Sequence, residues 1–444
     1  MDLSGVGTDP RLPPGPALPK KLQSALFIAR RRESLERWTR RYGGAFTVNA
    51  SVFGSTVIVT DPQLARQVYL AAPDALGNLR PNHSRLLGSG SVFALNGVEH
   101  RRRRDLLGPP LHGDRVRAFE PVFAEETLAE IAGWPGDGPV ATLEPMMRIA
   151  VNSIMRAVFG VAGAELDELR RLILAGVTLG SRLVRLPMPS RTYGRHTPWG
   201  RLAAFRARYE AAVDALIARA RADTDIEQRT DMLAAMLCSR YGGDCAGTGM
   251  TRKEIGDELL TLLAAGHENV GATLAWAFER ISRHPQLLSE LAAEADADGD
   301  TLRRATIREV QRIRTVTDFA GRRVYAPTVP LGEWVLPRGC SVLVALRQIH
   351  RNPAVFPDPD RLDPRRYLDG GPSPFEWMPY GGGSRRCPGS AFANLEMDVV
   401  LRTVLQNFVI EATDVPGEKS HSRGVAFTPA LGGLVRVRRR GKRM

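Results

Sequence analysis

Cysteine is scarce in this chain: four residues in 444, at positions 238, 245, 340 and 387. They are too few and too scattered for a disulfide framework or a paired Cys-x-x-Cys zinc site, and they fit a reducing compartment. Long apolar runs are also missing. No uninterrupted stretch reaches the roughly 18 residues that a membrane span needs, and the opening MDLSGVGTDPRLPPGPALPKK has no apolar core behind a basic end. A cytoplasmic protein with no membrane span is expected. Repeats are absent, and no linker or compositional shift marks an internal boundary. Acidic residues fall short of basic ones, 48 against 61, giving a formal charge of +13 and favouring an acidic partner. With 43% hydrophobic and 25% charged residues, the chain is neither fibrous nor disordered.

The local patterns predict a mainly α protein with a small β lobe (α+β). Residues 46–60 are rich in Val, Thr and Phe and punctuated by Gly54, which predicts paired strands. Asp61-Pro62 then opens a helix over residues 63–70. Helical periodicity dominates residues 120–281. Short β-branched runs broken by Gly and Pro occupy residues 317–346, and residues 356–389 form a loop-rich stretch long enough to be functional. The end, LVRVRRRGKRM, reads as a basic strand or a solvated tail. We expect a Pro-rich lead-in and first helix over residues 1–39, then one domain over 40–444.

The most informative stretch is Tyr380-Gly-Gly-Gly-Ser-Arg-Arg-Cys387-Pro-Gly389, followed by a helical pattern. Three consecutive glycines permit tight backbone geometry beside something bulky. Cys387 precedes a proline suited to a first helical position, so its sulfur should lie at the positive end of a helix dipole, where thiolate is favoured. Pro388 has no N–H, which leaves Gly389 and later amides to donate toward the sulfur, while Arg385 adds a cation. A lone cysteine is usually a small buried hydrophobe. The glycines, arginines and helix start together argue against that here.

These residues resemble the cysteine-ligand loop of the cytochrome P450 haem-thiolate monooxygenases, Phe-Gly-Gly-Gly-x-Arg-x-Cys-x-Gly. Every position agrees except Tyr380, which stands where Phe is usual. The resemblance implies haem b as cofactor, Cys387 as the iron ligand, Arg385 on a haem propionate, and Tyr380, Gly381 and Gly389 shaping the loop. It also implies a single-domain P450 fold with haem between the long oxygen-binding helix and the cysteine loop. Thiolate ligation pushes electron density toward O–O cleavage.

Further matches follow in order. Glu309-Val-Gln-Arg312 sets two charges on one helical face, and Phe356-Pro-Asp-Pro-Asp-Arg-Leu-Asp-Pro-Arg-Arg-Tyr367 resembles the family's meander, where Arg366 would complete a buried Glu–Arg–Arg cluster. In His100-Arg-Arg-Arg-Arg104, the first and last residues lie one turn apart, similar to the family's His-x-x-x-Arg pair that holds propionates. Arg101 to Arg103 would then lie on the face where the family docks an acidic electron donor. A strand arginine reaching a propionate fits Arg323, with Arg322 one residue away.

Ala265-Gly-His-Glu-Asn-Val270 resembles the oxygen-binding helix, Ala-Gly-x-Glu/Asp-Thr-Thr/Ser. Gly266 and Glu268 are kept; Asn269 and Val270 replace the two hydroxyl residues. Gly266 is expected to make room over the haem, with Glu268 and Asn269 on the proton path to dioxygen. An Asn amide orients a water but cannot relay a proton by exchanging a hydroxyl hydrogen. Three readings stay open: Asn269 holds the catalytic water of a hydroxylase, the substrate supplies the missing hydroxyl, or the reaction is a less usual oxidation such as coupling or desaturation. A bland reading has Asn269 bonding only within its helix. His267 is read as helix-groove packing.

By the family's layout, substrate is bounded by residues 79–95, 172–187, 315–320 and 426–431. Leu174, Leu183, Phe319 and Phe427 suggest an apolar lining and a lipophilic substrate, with Arg182 and Arg185 at the mouth. A ferredoxin- or flavodoxin-type donor with its reductase is expected, together with dioxygen, no nucleic acid and a monomeric state. A haem-binding carrier or sensor would not need Glu268 beside Gly266. A basic nucleic-acid binder would leave the glycine–cysteine loop unexplained. An atypical oxidase or peroxygenase stays an alternative because Asn269 and Val270 replace the usual pair; peroxide-driven turnover without a redox partner would mark a peroxygenase, for which the distal helix shows no dedicated Arg.

Overall fold

The computed structural model describes residues 9–50, 53–79, 86–160, 166–183, 189, 194–239 and 249–441. Arg185 and Cys245, both singled out above, lie outside them. In chain order the main elements are α1 (Lys20–Ala29), α2 (Arg31–Tyr42), β1 (Ala45–Ala50), β2 (Gly54–Val59), α3 (Pro62–Leu70), β3 (Leu76–Asn78), α4 (Gly97–Leu107), α5 (Glu120–Ala132), β4 (Asp137–Ala141), α6 (Leu143–Phe159), α7 (Asp167–Leu183), α8 (Pro198–Ala222) and α9 (Arg252–Ile281). There follow α10 (Pro285–Asp296), α11 (Thr301–Ile313), β5 (Phe319–Val324), β6 (Thr328–Leu331), β7 (Trp334–Pro337), β8 (Ser341–Ala345), α12 (Ser390–Asn407), β9 (Phe408–Glu411), β10 (Ser420–Ser422), β11 (Phe427–Pro429) and β12 (Leu434–Arg439). Helix thus dominates, with a small β lobe.

The lobe is a five-stranded sheet in the order β1-β2-β8-β5-β3. The first hairpin pairs Ala45 with Val59 and closes through Gly54, whose φ of 69° suits a residue without Cβ. Asp61 accepts from the backbone N–H of Gln63 and Leu64 at 2.8 and 2.9 Å, so α3 starts where the Asp-Pro signal places it. β8 joins β2 in parallel and β5 antiparallel, which fixes β5 beside the cysteine loop. The basic C-terminal run is a strand: β12 pairs with both β4 and β9.

The boundary expected after residue 39 falls inside α2. The lead-in before it is tied to the sheet, because Arg11 exchanges backbone hydrogen bonds with Val335 at 2.9 Å in each direction and Thr47 N–H donates to the Pro14 carbonyl at 2.9 Å. Arg32 on α2 donates to the Thr315 carbonyl and to Asp318.

Helix α9 is 30 residues long, about 45 Å at 1.5 Å per residue. It opens with a reciprocal cap between Thr251 and Glu254. It crosses α6 closely: a Cβ on Gly271 would lie 2.7 Å from Met147 Cγ and 3.0 Å from that residue's backbone. Val270, Ala272, Leu274 and Trp276 join Met146, Met147 and Ile149 in one core cluster.

Candidate active site

The cysteine loop is built against α3. Gly381 and Gly383 take φ of 66° and 67°, and a Cβ on Gly383 would fall 2.1 Å from the Tyr69 carbonyl oxygen. A Cβ on Gly382 would meet the Tyr69 ring at 2.6 Å. The bulky neighbour that these glycines accommodate is therefore Tyr69. Cys387 N–H donates to the Tyr380 carbonyl at 3.0 Å, closing the loop, and Gly389 N–H donates to the Cys387 sulfur. Its side chain is packed among protein atoms yet keeps solvent-accessible surface. Burial raises its thiol pKa, against the lowering influence of the Gly389 amide, Arg104 and Arg386. The helix start and the cations act in the expected direction, and desolvation by the surrounding protein opposes them.

Tyr380 replaces the usual Phe and uses its hydroxyl. It accepts from Gln311 Nε2 at 2.8 Å and donates to Asn394 Oδ1 at 2.5 Å. The ring also packs edge-on against Trp377, with centroids 6.4 Å apart.

A cluster of basic groups stands beside the sulfur. His100 is held down to about 4 by burial and by Arg385, Arg104 and Arg322. Arg385 is lowered to about 10 by burial, by Arg322 and by Arg104, and its Nη2 donates to the Leu95 carbonyl and Asn96 Oδ1, both at 2.8 Å. Neither His100 nor Arg104 has a side-chain hydrogen bond or ion pair among the described residues. The fourth member is Arg322, not Arg323. Successive strand residues point to opposite faces, and the β5 register buries Arg322 over the Tyr69 ring, with its Nη2 donating to the Gly382 carbonyl at 2.9 Å. Arg323 points the other way, toward Gly339 and Cys340. Mutually repelling cations clustered beside a sulfur and a glycine-bounded loop fit a haem with two carboxylate arms.

The run from Arg101 to Arg103 does not stay together. Arg101 and Arg102 are exposed, but Arg103 is buried, donating to Glu258 at 2.9 Å and to the Gly90 carbonyl at 2.6 Å. It shares the inner face of α4 with His100 and Leu107, at i, i+3 and i+7, and is removed from any docking face.

Behind the loop, Arg312 grips Glu309 through two 2.8 Å bonds, and Arg366 Nε lies 3.4 Å from Glu309 Oε1. Arg312 Nη1 also donates to the carbonyls of His350 and Pro359. His350, which the sequence did not flag, accepts the Met378 N–H at Nε2, 3.0 Å, and its Nδ1 lies 3.0 Å from Thr315 Oγ1. Burial and Arg312 hold it down to about 3, so it is neutral.

On α9 the structure corrects one expectation and completes another. Gly266 does not face open space; a Cβ there would meet Ile154 Cγ1 of α6 at 2.7 Å, so its smallness serves the helix crossing. Ala265 and Asn269 are the exposed residues of this turn. Glu268 is buried, accepts from Ser181 Oγ at 2.9 Å, and lies 3.6 Å from Arg423 Nε. Burial raises its pKa, with Ser181 and Arg423 opposing. Arg423 also reaches Glu144 at 3.2 Å, whose side chain is 62% exposed. Asn269 Oδ1 accepts from Thr317 Oγ1 at 3.3 Å. His267 is buried in packing, with Nδ1 2.8 Å from the Leu263 carbonyl.

Residues expected to line a substrate space divide. Phe319 stacks on Phe27 at 5.6 Å, and Phe427 lies 3.5 Å beneath the Arg32 guanidinium, so the N-terminal helices cover both. Leu174 and Leu183 are partly and fully buried on α7, and Arg182 is exposed. Ser181, Arg423 and the stretch that carries both Thr317 and Arg322 reach the site from three separate segments. Arg322 was named in the sequence, Ser181 and Thr317 fell only within stretches expected to bound substrate, and Arg423 carried no signal.

The chain matches the family model described as cytochrome P450 over residues 12–435. It is 58% identical over 430 residues to the protein named cytochrome P450 138 in Mycobacterium tuberculosis and Mycobacterium bovis, covering 97% of each chain. The protein named cytochrome P450 135B1 in the same organisms is 36% identical, covering 96% of this chain and 91% of the relative. Among solved structures, a retinoic acid-bound cyanobacterial protein, CYP120A1, has a TM-score of 0.84 at 21% identity, covering 97% of this chain and 100% of that one. A second, a cytochrome P450 designated CYP102L1, has a TM-score of 0.80 at 23% identity, covering 93% and 99%. These two show the fold.

Proposed function

The chain belongs to the cytochrome P450 family, a haem-thiolate monooxygenase with haem b, and from that premise we propose that it hydroxylates a lipophilic small molecule with electrons from a separate ferredoxin- or flavodoxin-type donor. The observation that carries the reading is the clustering of His100, Arg104, Arg322 and Arg385 within each other's electrostatic reach, with Arg104 acting on the Cys387 sulfur. No helix among the described residues is long and apolar enough to cross a membrane.

When bound, haem supplies the iron that activates dioxygen, with a cysteine thiolate enriching it in electrons. Cys387 would be its protein ligand, steadied by the Gly389 amide. His100, Arg104, Arg322 and Arg385 would hold the carboxylate arms by charge-assisted hydrogen bonds. In this reading Glu268 holds a proton: its burial favours the neutral acid, and Arg423 links it to the exposed Glu144. Asn269 orients a water beside the reacting oxygen through its amide. Because an amide orients but does not relay, the proton itself comes from Glu268 or from solvent.

The reading is tested by adding fatty acids, sterols, terpenes and aromatic polyketides, and beside them polar compounds such as sugars and amino acids, to the ferric protein and watching the spin state. A saturable shift with one class supports a lipophilic substrate and names that class; shifts only with polar compounds would overturn it. For Asn269, reductant is supplied through a surrogate ferredoxin and its reductase without substrate, so that dioxygen ends as peroxide or water. Asn269→Ala raises the ratio of peroxide to water. An unchanged ratio removes Asn269 from the proton path.

A further inference from the structure

Positions 269 and 270 offer no hydroxyl, and the nearest hydroxyls on the long helix are already committed. Thr273 Oγ1 donates to the Asn269 carbonyl at 2.8 Å, and Thr261 Oγ1 donates to the Asp257 carbonyl at 2.7 Å with Ser91 Oγ 2.6 Å away. Val270 is buried in the core. Asn269 points outward, on the open side of the helix.

One hydroxyl reaches it from elsewhere. Thr317, 48 residues later in the chain, brings Oγ1 to 3.3 Å from Asn269 Oδ1. The distance is long for an O–H···O bond, for which 2.5–3.0 Å is typical. The backbone beneath it is firmly held. Thr317 forms a β-bridge with Ala426, Phe427 N–H donates to the Val316 carbonyl at 2.9 Å, and the Asp318 carbonyl accepts from Leu346 at 2.9 Å. Asp318 itself is clamped by Arg32. The hydroxyl therefore sits on a fixed mount.

We propose that Thr317 supplies, from outside the helix, the hydroxyl that positions 269 and 270 lack, and acts as a positioning residue that fixes the Asn269 amide with its N–H groups toward the open side. The proposal rests on the reading of Asn269 as the holder of a water on the proton path. The chemistry follows from the donor inventory: with Oδ1 engaged by Thr317, both Asn269 Nδ2 hydrogens remain to donate, and Thr317 Oγ1 keeps lone pairs that accept. Donor and acceptor side by side can bind one water in one orientation. Without the Thr317 hydroxyl, the amide is free to turn over and present its oxygen instead.

The test uses the full-length holoprotein, with carbon monoxide as the probe. The infrared C–O stretch of bound carbon monoxide responds to a nearby hydrogen-bond donor, independently of turnover. The native protein and Thr317→Ser give one narrow band; Thr317→Val gives a shifted or split band. In the substrate-free assay, Thr317→Val raises the ratio of peroxide to water roughly 2- to 10-fold, the population change that one net hydrogen bond can impose. Thr317→Ser restores the native ratio, and Thr317→Val adds nothing in an Asn269→Ala background. If Asn269→Ala has its effect but Thr317→Val leaves the band and ratio unchanged, the positioning role is overturned and the Asn269 reading stands. If Thr317→Val still acts in the Asn269→Ala background, Thr317 works on its own and the proposal is again overturned. If Asn269→Ala changes nothing, the Asn269 reading fails and the proposal fails with it.

Discussion

The Tyr380 hydroxyl donates to Asn394 Oδ1 at 2.5 Å and accepts from Gln311 Nε2 at 2.8 Å, joining the cysteine loop to α11 and α12. A phenylalanine would keep the ring and lose both bonds. Tyr380→Phe leaves two part-buried amides without their partner and costs about 1–3 kcal/mol, measured as a lower urea midpoint of the holoprotein. A change below roughly 0.5 kcal/mol would mean that water replaces the hydroxyl without penalty.

Arg322 and Arg323 are neighbours in sequence and face opposite sides of β5. Arg322→Ala weakens haem retention by roughly 10- to 100-fold, as expected for one charge-assisted hydrogen bond, while Arg323→Ala leaves it near native. Transfer of haem to an apoprotein acceptor measures both. Equal losses, or a larger loss with Arg323→Ala, would reverse the assignment.

Glu309 is wholly buried between Arg312 and Arg366, and also accepts the Asp363 N–H at 3.0 Å. Glu309→Ala strands the buried Arg312 guanidinium and costs about 3–5 kcal/mol. The expected result is little soluble holoprotein at 37 °C and a strongly lowered unfolding midpoint at lower temperature. Near-native stability would show that the carbonyls of His350 and Pro359 suffice for Arg312.

His350 titrates near 3 in the folded protein because of burial and Arg312, against about 6.5 in an unfolded chain. Between those values the unfolded state binds a proton that the folded state does not. Stability therefore rises with pH across the window and levels off above it. His350→Asn removes this term. Its stability deficit relative to the native protein, large at pH 7.5, narrows by about 2 kcal/mol at pH 5, at about 1.4 kcal/mol per pH unit below 6.5. Parallel denaturation curves at both pH values would contradict the neutral buried assignment.

The cysteine loop was legible because its chemistry demands particular residues at fixed offsets; the β1–β2 hairpin and α3 were legible because Gly54 and Asp61 do local work. What escaped depends on which way a side chain turns in three dimensions. Arg322 and Arg323 are equivalent until the β5–β8 register is known. Arg103 looks like its exposed neighbours in a run of four arginines, yet Glu258, 155 residues away, draws it inside. Gly266 matches the oxygen-binding pattern, but the helix crossing turns its Cβ direction to Ile154. Thr317, Ser181 and Arg423 reach Asn269 and Glu268 across long sequence separations, where no periodicity carries a signal.

Cys387 is the thiolate proposed to bind haem iron, and the ferrous carbon monoxide difference spectrum tests that assignment most directly. The native protein is predicted to give the thiolate-type band, and Cys387→His to bind haem without it. A thiolate-type band that survives in Cys387→His would move the ligand to another cysteine and contradict the site as drawn.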